Sequence, residues 1–129
     1  MYDQRAVIVE DDPIVAADLV ERVVQLGYPC PLSYRSGEEA LGVVAEESPG
    51  LLVMDIELAG TLDGIATVHH FRQAWPSCPV VFITSHTDEK TTRLARRLMP
   101  EAIIGKPFCS PRLKRTIFRI LGPPLHSAS

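Results

Sequence analysis

Four short apolar runs in this sequence end in residues that could do chemistry together. Ala6-Val7-Ile8-Val9 leads into Glu10-Asp11-Asp12, and Leu51-Leu52-Val53-Met54 leads into Asp55-Ile56-Glu57. Val80-Val81-Phe82-Ile83 leads into Thr84-Ser85, and Ala102-Ile103-Ile104 into Gly105-Lys106-Pro107. Runs this short and this apolar read as strands buried on both faces of a parallel sheet. In open α/β sheets, ligands bind outside the carboxyl ends of the strands, which is where these groups arrive. Crowded carboxylates repel one another unless a cation neutralises them. A hard ion such as Mg2+ takes one or two carboxylates together with waters and phosphate oxygens. A lysine and a hydroxyl nearby would bind the remaining phosphate oxygens. Carboxylate, metal, lysine and hydroxyl are together the parts that phosphoryl transfer to an aspartate needs. Asp55 alone could equally cap a following helix; the groups converging from other strands favour a site.

The elements between these runs are helices. Asp12 and Pro13 open one, with an inward stripe through Ala16, Leu19, Val20, Val23 and Leu26 and a stop at Gly27. Residues Tyr28 to Tyr34 form a weak strand that Pro29 and Pro31 confine to the sheet edge. Ser36-Gly37-Glu38-Glu39 is a capping box that turns Ala40, Leu41 and Val44 inward. After Asp63-Gly64, read as turn and cap, a helix carries Ile65, Val68, His69 and Phe71 to about Trp75, where Pro76 stops it. Thr87-Asp88-Glu89 caps a helix to about Leu98, with Leu94 and Leu98 inward. Ser110-Pro111 opens the last helix, with Leu113, Ile117 and Leu121 inward. Alternating strands and helices predict one doubly wound α/β domain over residues 1–122, with 123–129 a frayed tail.

Composition narrows the functional classes. No apolar run approaches the roughly 20 residues of a membrane helix, and the acidic N-terminus is no signal peptide. Cys30, Cys78 and Cys109 are odd in number and widely spaced, so buried thiols in a reducing cytoplasm are expected rather than disulfides or a zinc site. The net charge of −3 hides an asymmetry: residues 1–63 hold 13 acids and three arginines, residues 64–129 ten Lys or Arg and three acids. The first half suits a cation, the second an acidic partner.

With those motifs in place, the chain resembles the receiver domains of bacterial two-component response regulators. The resemblance runs from Arg5 to Leu121 and rests on Val9-Glu10-Asp11-Asp12-Pro13, Met54-Asp55, Asp63-Gly64, Ile83-Thr84-Ser85 and Lys106-Pro107-Phe108. It implies a flavodoxin-like sheet of order 2-1-3-4-5 and a cis Lys106-Pro107 bond. It implies that Asp55 accepts a phosphoryl group from a phosphohistidine on a sensor histidine kinase or histidine phosphotransferase. Asp11 and Asp55 would ligate Mg2+, Glu10 would act mostly through water, and the backbone carbonyl of Glu57 would be a further ligand. Lys106 would pair with phosphoryl oxygens, and Thr84 would swing in to bond one of them. A receiver is a switch rather than a classical enzyme. Its output partner would be a protein docking on the helices at 87–98 and 110–121, with neither nucleic acid nor membrane bound directly.

Three departures from the family pattern stand out. The loop Leu58-Ala59-Gly60-Thr61-Leu62 is one residue longer than usual and lacks a proline. Ile103 occupies a position that is normally Tyr or Phe, so threonine–aromatic coupling is not available in its usual form. Glu57 and His86 sit two residues beyond Asp55 and Thr84, where family members tune the lifetime of the acyl phosphate. Asp12 is expected to cap rather than ligate, and the adjacent His69 and His70 cannot form a metal pair on a helix. A haloacid-dehalogenase-like phosphatase is the runner-up, set back by Glu57 where its second aspartate belongs and by the lack of room for a substrate-capping domain.

Overall fold

The strands form because β-branched and aliphatic residues alternate between two buried surfaces. In β1 (Ala6–Val9), β3 (Leu51–Asp55) and β4 (Val80–Thr84) every residue is buried. Val7, Val9, Leu52, Met54, Val80 and Phe82 belong to one core, whereas Ala6, Ile8, Leu51, Val53, Val81 and Ile83 belong to another. The computed structural model describes residues 4–43, 48–58, 60–85, 88–107 and 110–125.

Five parallel strands lie in the order β2-β1-β3-β4-β5, with β2 (Leu32–Tyr34) and β5 (Ala102–Gly105) at the edges. This is the expected flavodoxin-like order. The edge strand β2 is only three residues long, shorter than Tyr28 to Tyr34, because Pro29 and Pro31 have no N–H to give a ladder. The central strand also stops at Asp55, leaving Ile56 and Glu57 in the turn beyond it.

Helices α1 (Pro13–Gln25) and α5 (Ser110–Leu121) supply Leu19, Val23, Leu113, Ile117 and Leu121 to one core. Helices α2 (Gly37–Val43), α3 (Gly64–Ala74) and α4 (Glu89–Arg96) supply Ala40, Val68, Phe71 and Ala95 to the other. The stripe on α4 differs from the expected one: Leu94 is 39% exposed and the buried residue is Ala95. This helix is eight residues long and mostly polar, so close approach of a small side chain sets its rotation. His69, named with the apolar residues of α3, is exposed, and the buried polar residue there is Thr67, bonded to the Asp63 carbonyl.

Two glycines fix the approach of α3. A Cβ at Gly64 would lie 2.1 Å from the Asp55 carbonyl oxygen, so the helix starts against the end of β3 only because position 64 has no side chain. A Cβ at Gly37 would meet Thr67 Oγ1 at 2.0 Å, which sets how closely α2 packs on α3.

Asp12 caps α1 through bonds from the Ile14 and Val15 amides, and Asp63 and Asp88 cap α3 and α4. Glu39 N–H donates to Ser36 Oγ, one arm of the expected capping box. Hydrogen bonds reach into the tail as far as Leu125. Gln4 donates to the Leu121 and Pro123 carbonyls and accepts from the Leu125 amide, and Tyr28 donates to the Gly122 carbonyl. Cys78 is buried, and that burial pushes its thiol up to about 11. Cys30, expected to be buried, is exposed between Pro29 and Pro31 ahead of β2. Val44, Ala59, His86, Thr87, Phe108, Cys109, His126 and the rest of the tail lie outside the described residues.

Candidate functional site

The carboxyl ends of β1, β3, β4 and β5 bring the sequence-predicted groups to one edge. Glu10 follows β1 directly, its amide bonded to the Tyr34 carbonyl, and it is 1% exposed. Asp55 closes β3 and is 2% exposed; Asp11 is half-buried beside them. One carboxylate oxygen from each of Glu10, Asp11 and Asp55 lies within 4.8 Å of the others. Ligand oxygens around Mg2+ sit about 2.1 Å from the ion, and so about 3 to 4 Å from one another. The three oxygens need only a small contraction to fit, and an all-oxygen donor set suits a hard cation.

Lys106 enters from the far side. Its amide donates to the Thr84 carbonyl at 2.8 Å, and the following Lys106–Pro107 bond is cis, as expected. Its Nζ lies 2.7 Å from Glu10 Oε1 and 3.4 Å from Asp55 Oδ2. Burial alone would depress the lysine, but the Glu10 and Asp55 carboxylates outweigh it and hold its pKa above the ordinary value. The Asp55 carboxyl is pushed up to about 7, first by burial and then by the Glu10 carboxylate, with Lys106 opposing and Glu57 adding to the rise. An aspartate in this setting is a weakly solvated oxygen nucleophile whose charged form a cation would favour.

Thr84 closes β4, 2% exposed, and its hydroxyl donates to Glu57 Oε1 at 2.5 Å. The Glu57 amide in turn donates to Asp55 Oδ1 at 3.1 Å. Asp12, as expected, spends its carboxylate on the helix cap, while its amide donates to Glu10 Oε2. Ser85 is exposed at the end of β4, and Asp63 is a cap.

Two features add to the sequence reading. Glu38 Oε1 accepts the Leu62 amide at 2.8 Å, fastening the long loop to α2, where Gly60 has a φ of +105°. Nothing local in either segment signals a bond across 24 residues. The second is a groove between the end of α4, β5 and α5, lined by Arg96, Arg112, Arg115 and Arg119 around Ile103. Arg112 and Arg119 donate to the Ile103 and Glu101 carbonyls. Met99 stands at its rim, 80% exposed with a φ of +53°, where helix ends usually place glycine. Among the described residues, no helix is long and apolar enough to cross a membrane.

Comparison with known proteins agrees with this architecture. The family model for the response regulator receiver domain matches residues 6–118. The phyllosphere-induced regulator PhyR of Methylorubrum extorquens is 34% identical over 102 residues, 78% of this chain but 37% of that protein. The DNA-binding transcriptional regulator NtrC of Salmonella typhimurium is 31% identical over 81 residues, 63% of this chain and 17% of that one. The chain therefore spans well under half the length of these two relatives. Among solved structures, the signal receiver domain of a modulated diguanylate cyclase from Desulfovibrio desulfuricans superposes with a TM-score of 0.81 at 34% identity, covering 90% and 91% of the two chains. The NtrX receiver domain from Brucella abortus gives 0.82 at 27% identity, covering 90% and 97%. The family match spans all five strands, and the chain belongs to the response regulator receiver domain family, the phosphorylation-dependent switches of two-component signalling.

Proposed function

We propose that this domain takes a phosphoryl group onto Asp55 from a phosphohistidine of a sensor histidine kinase or histidine phosphotransferase. The observation that carries the reading is the convergence of Asp55, two further carboxylates and Lys106 Nζ at one buried strand edge. An Asp55 carboxylate oxygen attacks phosphorus as the histidine nitrogen leaves, and water later releases phosphate from the acyl phosphate. Asp11 and Asp55 would hold Mg2+, with the Glu57 carbonyl as a further ligand and Glu10 acting mostly through water. Bound there, the ion neutralises the charge that develops on the phosphoryl oxygens. Lys106, now shared by Glu10 and Asp55, is within reach of a phosphoryl oxygen on Asp55 and would exchange one of those partners for it. Thr84 supplies a hydroxyl donor to another. Such a domain works where ATP-driven phosphodonors are, in the cytoplasm, and the receiver unit is read as residues 1–122.

The signal leaves through a protein partner. Lys90 and Arg93 on α4, Arg97 at its end, and Arg112, Arg115 and Arg119 on α5 are exposed, and residues 64–129 hold ten Lys or Arg against three acids. That favours an acidic partner whose association slows as salt rises. Ile103 is stiff at χ1 and has no hydroxyl, so it cannot act as the family's rotating aromatic does. Phosphorylation is then expected to move Thr84, the segment to Asp88 and the Gly60 loop, with Ile103 nearly fixed. The central experiment is incubation with acetyl phosphate and Mg2+ followed by intact mass measurement. One added phosphoryl group on the wild type and none on Asp55→Asn is the expected result; equal labelling of both would reassign the acceptor.

A further inference from the structure

Thr84 and Glu57 are also joined through the Glu57 carboxylate, a group the mechanism just described does not use. A threonine hydroxyl has one proton to donate. Here that proton goes to Glu57 Oε1, and hydrogen bonds to a carboxylate are stronger than those between neutral groups. A phosphoryl oxygen on Asp55 would ask for the same proton. Glu57 is well placed to keep it. Its backbone is pinned by the amide bond to Asp55 Oδ1, and its side chain reaches from beyond β3 to the end of β4. Thr84 is 2% exposed and Glu57 half-buried, so water competes poorly for the bond.

We propose that Glu57 is a positioning residue whose carboxylate stands in for the phosphoryl group on Thr84 in the resting state. Phosphorylation must displace it, and the affinity of the site for a phosphoryl group is lowered by what that bond contributes. The proposal rests on Asp55 being the phosphoacceptor. It also offers a route for the signal that does not need an aromatic on β5. The displaced carboxylate belongs to the loop that carries Gly60, and the released hydroxyl belongs to the segment leading to α4. Both segments therefore move when the bond changes hands.

A double-mutant cycle tests it, because loss of the Glu57 charge could also help the phosphoryl group by simple relief of repulsion. Beryllofluoride, a stable phosphoryl mimic, is titrated with Mg2+ into the wild type, Glu57→Ala, Thr84→Val and the double variant, with folding checked by thermal melts. Hydrogen bonds to charged groups translate into roughly tenfold to a hundredfold in affinity. Glu57→Ala is expected to tighten binding by at least about tenfold when Thr84 is present, and by less than about threefold in the Thr84→Val background. In the free protein, the NMR methyl signal of Thr84 in Glu57→Ala should move toward its position in the beryllofluoride-bound wild type. Equal tightening in both backgrounds would reduce the effect to charge repulsion and overturn the proposal. So would an unmoved Thr84 signal, or a Mg2+ affinity that changes in step with the beryllofluoride affinity. A wild type that binds beryllofluoride and is matched by Glu57→Ala defeats the proposal alone. A wild type that neither binds it nor takes label from acetyl phosphate defeats the phosphoacceptor reading, and the proposal with it.

Discussion

At the carboxyl edge of the sheet, Glu10 and Asp55 are 1% and 2% exposed and share one lysine as their counter-ion. On the face of α4, β5 and α5, Arg96, Arg112, Arg115 and Arg119 are all exposed, two of them donating to backbone carbonyls. Burial makes the first group a tightly coupled set, in which removing one charge changes the energy of every other. Exposure makes the second a field, in which each charge adds a little and salt screens all of them. The same fold therefore carries a centre that depends on geometry and a surface that depends on number.

The largest expected effect breaks the first side outright: Asp55→Asn should lose all phosphoryl incorporation from acetyl phosphate. The same substitution should stabilise the fold. Burial, with the Glu10 carboxylate beside it, pushes the Asp55 carboxyl up to about 7 in the folded protein from an ordinary 3.8. Between those values the folded chain keeps a proton that the unfolded chain has lost, so stability falls as pH rises through that window. Asp55→Asn should therefore exceed the wild type by at most about 4 kcal/mol above pH 7. The gap should close below about pH 4 and shrink on addition of Mg2+. Urea melts across that range would check it, and a gap independent of pH would show that Asp55 is not a buried charge at a cost.

Next, Asp11→Ala deletes a carboxylate from the three-oxygen set and should weaken Mg2+ binding by about tenfold or more. Titration calorimetry would read it, and unchanged affinity would remove Asp11 from the ligands. Reversal of Arg112, Arg115 and Arg119 to glutamate should slow association with an acidic partner several-fold at low salt. That difference should vanish at high salt, while the thermal midpoint moves little. A salt-independent loss would mean that the groove acts through shape. Smallest of all, Glu89→Ala breaks an exposed pair with Arg93 at 3.2 Å and should cost no more than about 0.5 kcal/mol. A larger loss in a urea melt would show that this face is more tightly coupled than its exposure implies.

How much of this was legible follows the same division. The buried strands were readable because burial on both faces leaves continuous apolar runs, and the groups of the candidate site sit at their ends, where their convergence could be read from position. Leu94 was misplaced because two leucines on a short polar helix give too little periodicity to fix its rotation. The contact of Thr84 with Glu57 joins residues 27 positions apart and leaves no local trace. Met99 was silent too, since its positive φ occurs where no glycine or asparagine marks it.

The bond from the Leu62 amide to Glu38 has a mechanical consequence. A lengthened loop would ordinarily add slack, and its closure costs little more entropy than a shorter one. The loop is fastened near its far end to α2 by this bond. If phosphorylation moves Glu57 as proposed, that fastening would give the motion a path toward Glu38. Helix α2 packs against β2 and α3, toward the strand edge remote from β5. One chemical event at Asp55 would then be felt at two ends of the sheet. Glu38→Ala should uncouple one end, seen as faster amide exchange at Leu62 with the arginine face unchanged.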